Sequence, residues 1–217
     1  MKLRWIQTKT CRCLAWPVRF LLLLLFALLL LGVFFRIYPF LAPNHPPHDG
    51  IMVVEGWIPD ESLEVVAKMY RAGKYQKIIC TGVPLEVGSY LLPFHSFSEM
   101  TAARFYHLGF SSNEVVAVSA PLAPRDRTYL SALALRDYLQ THPEEAVLNL
   151  HLLTIGPHGR RSWILFQKAL GKEQKIGITS LPDPAYDPAR WYTCSRGVRA
   201  VIDESIACLY ATFFFHP

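Results

Sequence analysis

Residues 51–82 read IMVVEGWIPDESLEVVAKMYRAGKYQKIICTG. Ile51 to Val54 is a short, continuously apolar run, which suits a strand buried on both faces. Asp60 then sits where a helix N-cap is expected. Leu63, Val66, Ala67 and Tyr70 follow at helical spacing, and Gly73 ends the pattern. A second apolar run, KIICT at 77–81, is the next strand. Strand, helix and strand in this order make a parallel pair joined by a covering helix.

The unit repeats downstream. A long loop at 82–95 leads into a helix through Phe105 and Leu108, stopped by Gly109, and 115–118 is a third strand. A helix at 128–139, a strand at 148–154, a helix at 160–170 ended by Gly171, and a strand at 175–179 continue the alternation. A final helix at 197–213 carries Val198, Val201, Ile202, Leu209 and Phe213 on its expected buried face. The expected architecture is a three-layer α/β/α sandwich around a mostly parallel five-stranded sheet, over residues 51–217.

Upstream, residues 20–35 read FLLLLLFALLLLGVFF, with no charge. Extending the run to 18–38 gives a helix of about 31 Å, matching a hydrocarbon core of about 30 Å. Arg19 and Arg36 lie near enough to its ends to snorkel, and Trp16 and Tyr38 stand at interfacial positions. No small-x-small cleavage site follows, so the run reads as an uncleaved signal anchor. It divides the chain into a basic arm (1–17), a transmembrane helix (18–38), a Pro-rich tether (39–50) and the α/β domain.

Charge points the same way. Lys2, Arg4, Lys9, Arg12, Arg19 and Arg36 fall in the first 36 residues, without one acid. The 22 basic residues less these six leave 16 against 17 acids, a net charge of −1 for the remainder. The overall +5 therefore belongs to the arm and not to a nucleic-acid-binding face. By the positive-inside rule the N-terminus is cytoplasmic and the domain extracytoplasmic, on the plasma membrane. Cys80 and Cys208 read as buried free thiols, and Cys11 and Cys13 as a juxtamembrane pair.

Ligands of parallel α/β sheets bind beyond the carboxyl ends of the strands. Here those segments hold Glu55, Gly56 and Trp57; Thr81 and Gly82; 120–128; 156–161; and 182–199. Phosphate-loop, dinucleotide and nucleophile-elbow signatures are absent from the sequence. Arg125, Arg127, His158, Arg160 and Arg161 fall at helix starts, where backbone N–H groups already favour an anion. Glu55, directly after a strand and beside Gly56, faces the expected crevice as a candidate general base. Glu99 forms a capping box with Ser96 or touches ligand, and Asp126 caps the next helix or touches ligand. Tyr186, Trp191 and Tyr192 stack on a sugar or pack in the core. His45, His48 and Asp49 lack the supporting shell of a metal site, so no metal is expected there.

These strand-end segments resemble the YdcF/SanA/ElyC family of bacterial proteins over roughly residues 50–180. Val53-Val54-Glu55-Gly56 is similar to its opening strand and glycine, and Thr81-Gly82 to its strand–Ser-Gly-Gly turn. Glu99 stands at the Glu opening its second helix, Thr128 at the Thr of its T-x-E-N-A motif, and His158 with Arg161 at its H-x-x-R. Leu130, Ser131 and Val83 depart from that pattern, as do Glu55 and Trp57. The resemblance implies a Rossmann-like fold and, for anchored members of the SanA-like branch, a role in envelope integrity, peptidoglycan and lipid-carrier-dependent polysaccharide assembly.

The joint expectation is an anchored envelope protein that binds a phosphorylated or pyrophosphorylated cell-wall or polysaccharide intermediate. Glu55 and His158 are its catalytic candidates if the ligand is turned over. Gly56, Trp57, Thr81, Gly82, Glu99, Arg125, Asp126, Arg127, Thr128 and Arg161 are its binding candidates. A non-enzymatic scaffold or regulator is the alternative. A cytoplasmic nucleotide or S-adenosylmethionine binder is a third reading, and it requires the opposite topology.

Overall fold

The computed structural model describes residues 15–122 and 124–216. The arm residues Lys2, Arg4, Lys9, Arg12, Cys11 and Cys13 lie outside the described residues. The chain divides into two compact units after Ile37. The first helix, α1 (Trp16–Leu41), has a mean hydropathy of 2.8 over its most apolar window and is long and apolar enough to cross a membrane.

From Tyr38 onward the chain forms a six-stranded sheet. Its strands are β1 (Asn44–His45), β2 (Asp49–Glu55), β3 (Lys74–Gly82), β4 (Val115–Ser119), β5 (Leu150–Ile155) and β6 (Ile176–Leu181). Their order is β1-β6-β5-β2-β3-β4, and every pairing is parallel except β1 with β6. The sheet thus has one strand more than expected. Within the Pro-rich stretch, Asn44 and His45 pair along the open edge of β6 and cover it.

The helices are α2 (Asp60–Ala72), α3 (Phe97–His107), α4 (Arg127–Thr141), the short α5 (Pro143–Ala146), α6 (His158–Leu170) and α7 (Ser195–Phe213). Period-two alternation in β2 sorts its side chains between two cores. Met52 and Val54 pack with Leu63 and Val66 of α2 and Phe105 of α3. Ile51 and Val53 pack with Leu135 of α4 and Phe166 of α6. Both faces are dry because helices cover both, as a parallel sheet requires.

Three local expectations are corrected. Asp60 is the first helical residue of α2, not its cap; Pro59 takes the cap position and the Asp60 carboxylate pairs with Arg104. Asp126 does occupy the N-cap of α4, but with a left-handed backbone (φ 59°) and no side-chain cap bond. On α7 the expected face is mostly exposed: Ile202, Leu209 and Phe213 are open to solvent, while Gly197, Val201, Cys208 and Ala211 are buried. The small residues let α7 lie close to α6, so the larger side chains turn outward.

A candidate site at the switch point of the sheet

Chain order reverses between β2 and β5, which are neighbours in the sheet. Successive connections leave these strands in opposite directions, opening a crevice beyond their carboxyl ends. Glu55 ends β2, and His158 begins α6 three residues after the end of β5. The fold therefore brings together two residues 103 positions apart.

Glu55 is 3% exposed, and its two oxygens accept from Ser162 Oγ at 3.1 Å each. His158 Nε2 stands 3.7 Å from Glu55 Oε1, an electrostatic pairing too long for a hydrogen bond, and has no hydrogen-bond partner. On the other side of the ring, Nδ1 lies 2.7 Å from Glu204 Oε1. Arg161 grips the same carboxylate through Nε to Oε2 at 2.7 Å and Nη2 to Oε1 at 3.0 Å. Its Nη2 is also 2.8 Å from His158 Nδ1, because both nitrogens share Glu204 Oε1 as acceptor. With Arg161 unable to lose its proton, the ionised Glu204 requires the proton on Nδ1.

Burial alone would lower the His158 pKa. The Glu55 charge and the hydrogen bond to Glu204 outweigh it and raise the pKa to about 9. Burial would likewise raise Glu204, but hydrogen bonds from Arg161 and His158 bring it down to about 2. Glu55 is also held below the usual carboxylate range: burial opposes this, and the charge of His158 overrides it. The resting site is a cationic imidazole between two carboxylates, one of them shared with an arginine. Such an arrangement places an ionised base, Glu55, and a proton donor, His158, on one wall of a cavity.

That cavity measures about 590 Å3. Of the residues singled out in the sequence, Glu55, Trp57, Thr81, Gly82, Asp126, Arg127, Thr128, His158 and Arg161 line it. The Trp57 ring meets His158 edge-on with centroids 4.8 Å apart. Arg161 Nη1 lies 3.5 Å from Thr128 Oγ1, tying the starts of α4 and α6 together. Gly56, Glu99 and Arg125 do not line the cavity. The N–H of Gly56 donates to Thr81 O at 2.7 Å, and a Cβ there would come within 2.6 Å of Phe97 O. Gly56 thus admits the start of α3. Glu99 serves the capping motif, its amide donating to Ser96 Oγ and its carboxylate accepting from the His95 amide. The Arg125 side chain is 88% exposed.

Sequence reasoning missed Glu204, together with Asp183, Asp203 and Tyr210 on the same wall. It also read Arg125, Arg127, His158 and Arg161 as the countercharge of an anion. The cavity instead sets Arg127, His158 and Arg161 against five carboxylates: Glu55, Asp126, Asp183, Asp203 and Glu204. Arg127 is further engaged with Glu86 at 2.8 Å. Among the described residues no group of three or more His, Cys, Asp or Glu is placed to hold a metal ion. Tyr186 lines the cavity, whereas Trp191 is buried beside Gly197.

The fold and the site define an α/β protein with a charged, partly apolar cavity at the switch point of its sheet. Compared with models of protein families, with curated proteins and with solved structures, the chain matches none of them.

Proposed function

We propose that this chain is a membrane-anchored envelope protein of the YdcF/SanA/ElyC type. Its cavity binds a phosphorylated or pyrophosphorylated saccharide intermediate of cell-wall or polysaccharide assembly. The observation that carries the reading is the composition of this cavity. The starts of α4 and α6 converge there with Arg127, Thr128, His158 and Arg161, a constellation suited to phosphate oxygens. Asp126, Asp183 and Asp203 are acceptors for sugar hydroxyls, and Trp57, Tyr186 and Tyr210 offer aromatic surface. Leu165, Ala207, Ala211 and Phe215 add an apolar wall, and about 590 Å3 is the size of a small-ligand site.

The carboxylate majority constrains the ligand. A bare polyphosphate meets repulsion, whereas a glycosyl phosphate matches both halves of the wall. The α1 helix holds the domain on the bilayer, with the domain outside the cytoplasm. Turnover, where it occurs, uses Glu55 as base and His158 as acid, giving hydrolysis or transfer at the phosphate. A non-enzymatic binder is the second reading, favoured by the internal pairing of His158 and Arg161 with Glu204.

The test is a binding and turnover screen on the full chain with inorganic pyrophosphate, a uridine-diphosphate sugar, a polyprenyl pyrophosphate and S-adenosylmethionine. Thermal stabilisation by the glycosyl or polyprenyl compound, lost in Thr128→Val with Arg127→Ala, supports the reading. Stabilisation by S-adenosylmethionine alone overturns it. Glu55→Gln that abolishes turnover while binding persists assigns an enzyme, and binding without turnover in the natural chain assigns a binder.

A further inference from the structure

One face of α7 has no partner among the described residues of the domain. Ile202, Ile206, Leu209 and Phe213 recur at helical spacing and are 52–64% exposed, opposite the buried Val201, Cys208 and Ala211. Phe214, just past the end of the helix, is 71% exposed, while Phe215 turns inward against Leu165. Scattered apolar residues on a surface are ordinary, but four along one helix face are a contiguous patch. Arg199 is exposed beside the start of the stripe; Arg196 pairs with Asp183 of the cavity wall at 3.2 Å, and Asp203 is exposed and also lines the cavity.

The patch lies at the end of the domain where the chain arrives from the apolar run. Tyr38, the first residue of the domain, sets its ring edge-on to Tyr186 of the cavity wall, with its hydroxyl beside Gly156 after β5. Phe40 is half exposed, and the Arg160 guanidinium stacks on it at 4.1 Å. Arg160 belongs to the first turn of α6, the helix against which α7 packs. Arg160 therefore stands between the entering chain and α7. Tyr210 completes the link: it is 52% exposed beside the stripe and also lines the cavity. Covalent attachment at Tyr38 keeps this end within reach of a bilayer, so a weak apolar contact suffices to hold it there.

We infer that the outer face of α7 docks on the lipid surface, with Ile206, Leu209 and Phe213 in the acyl boundary, so that the cavity opens beside the bilayer and takes amphiphilic ligands from it. This rests on the anchored reading given above. Exposed aliphatic and aromatic side chains next to arginines are the chemistry of an interfacial helix. The carboxylate, histidine and arginine wall takes the ligand's head, while Ala207, Ala211 and Phe215 of α7 lie along its chain.

Nitroxide labels at Ile206→Cys, Phe213→Cys and, as a reference, Val147→Cys test this in the full chain. Cys11, Cys13 and Cys194 are replaced by serine, and the protein is reconstituted in phosphatidylethanolamine–phosphatidylglycerol vesicles. Val147 is 83% exposed and precedes β5, at the opposite end of the strands. The expected result is an oxygen-to-aqueous-relaxant accessibility ratio several-fold higher at 206 and 213 than at 147. Equal ratios at all three positions in protein that survives a carbonate wash overturn the docking and leave the anchor standing. Spin–spin broadening at 206 without oxygen enrichment overturns it in favour of a second copy of the chain. Loss of the protein in the carbonate wash overturns the anchored reading itself.

Discussion

His151 and His158 lie seven residues apart on β5 and α6, and the domain holds them in opposite charge states. His151 is fully buried in the sheet, with Tyr75 Oη at 2.9 Å from Nδ1 and Thr179 Oγ1 at 2.8 Å from Nε2. Thr179 Oγ1 is also 3.2 Å from Asn44 Oδ1 and Tyr75 Oη 3.1 Å from the Pro47 carbonyl, and one of the two hydroxyls gives its proton to the neutral ring, so this cluster pins the Pro-rich segment to the sheet. Only hydroxyls face it, and burial lowers its pKa to about 4. His158 suffers the same desolvation but sits between Glu55 and Glu204, which lift it to about 9. Burial sets the default of a neutral ring, and two carboxylates reverse it. One histidine is a structural peg; the other carries a proton into the cavity.

The largest expected effect that sharpens this contrast comes from Glu204→Ala. It leaves His158 and Arg161 without their shared acceptor, and breaking a buried ion pair from one side costs about 3–5 kcal/mol. Chemical denaturation reads this directly, and the His158 titration moves down. His151→Leu removes no charge but takes one hydrogen-bond partner from each of the Tyr75 and Thr179 hydroxyls and leaves the other, at a cost of about 1–3 kcal/mol by the same measurement. A loss for Glu204→Ala no larger than for His151→Leu would break the comparison.

The pH dependence of stability has opposite signs at the two rings. The raised pKa of His158 gives stability that is complete below its unfolded value of 6.5 and fades as pH rises through about 9. The lowered pKa of His151 gives stability that is complete above 6.5 and fades as pH falls towards about 4. Melting curves of His151→Leu and of the parent should therefore converge as pH falls from 6.5 to 4. The smallest effect belongs to Arg127→Ala, whose exposed pair with Glu86 is worth less than about 1 kcal/mol. Its stability stays within that margin while affinity for a phosphorylated ligand falls.

The alternation of apolar runs and helical spacing made the layers legible in the sequence, and the strand-end rule located Glu55 and His158 before any contact was visible. Glu204 escaped because a single acid in a helix reads as a solvated side chain. Its signal was the small-residue stripe Gly197, Val201, Cys208 and Ala211, which places Glu204 on the face nearest α6. The apolar residues of α7 misled for the complementary reason: hydrophobicity was taken as burial, although close packing on α6 needs small side chains. Charge at the site was misjudged because helix-start arginines are visible in sequence while the carboxylates that neutralise them come from elsewhere in the chain.

The most direct test is to follow both imidazole rings by nitrogen NMR while a polyprenyl-pyrophosphate-linked sugar is added to the full chain in micelles. Nε2 of His158 has no hydrogen-bond partner among the described residues, and His158 lines the cavity, so its resonance should shift and saturate while His151 stays still. No movement at His158, or equal movement at both rings, would contradict the assignment of this cavity as the binding site.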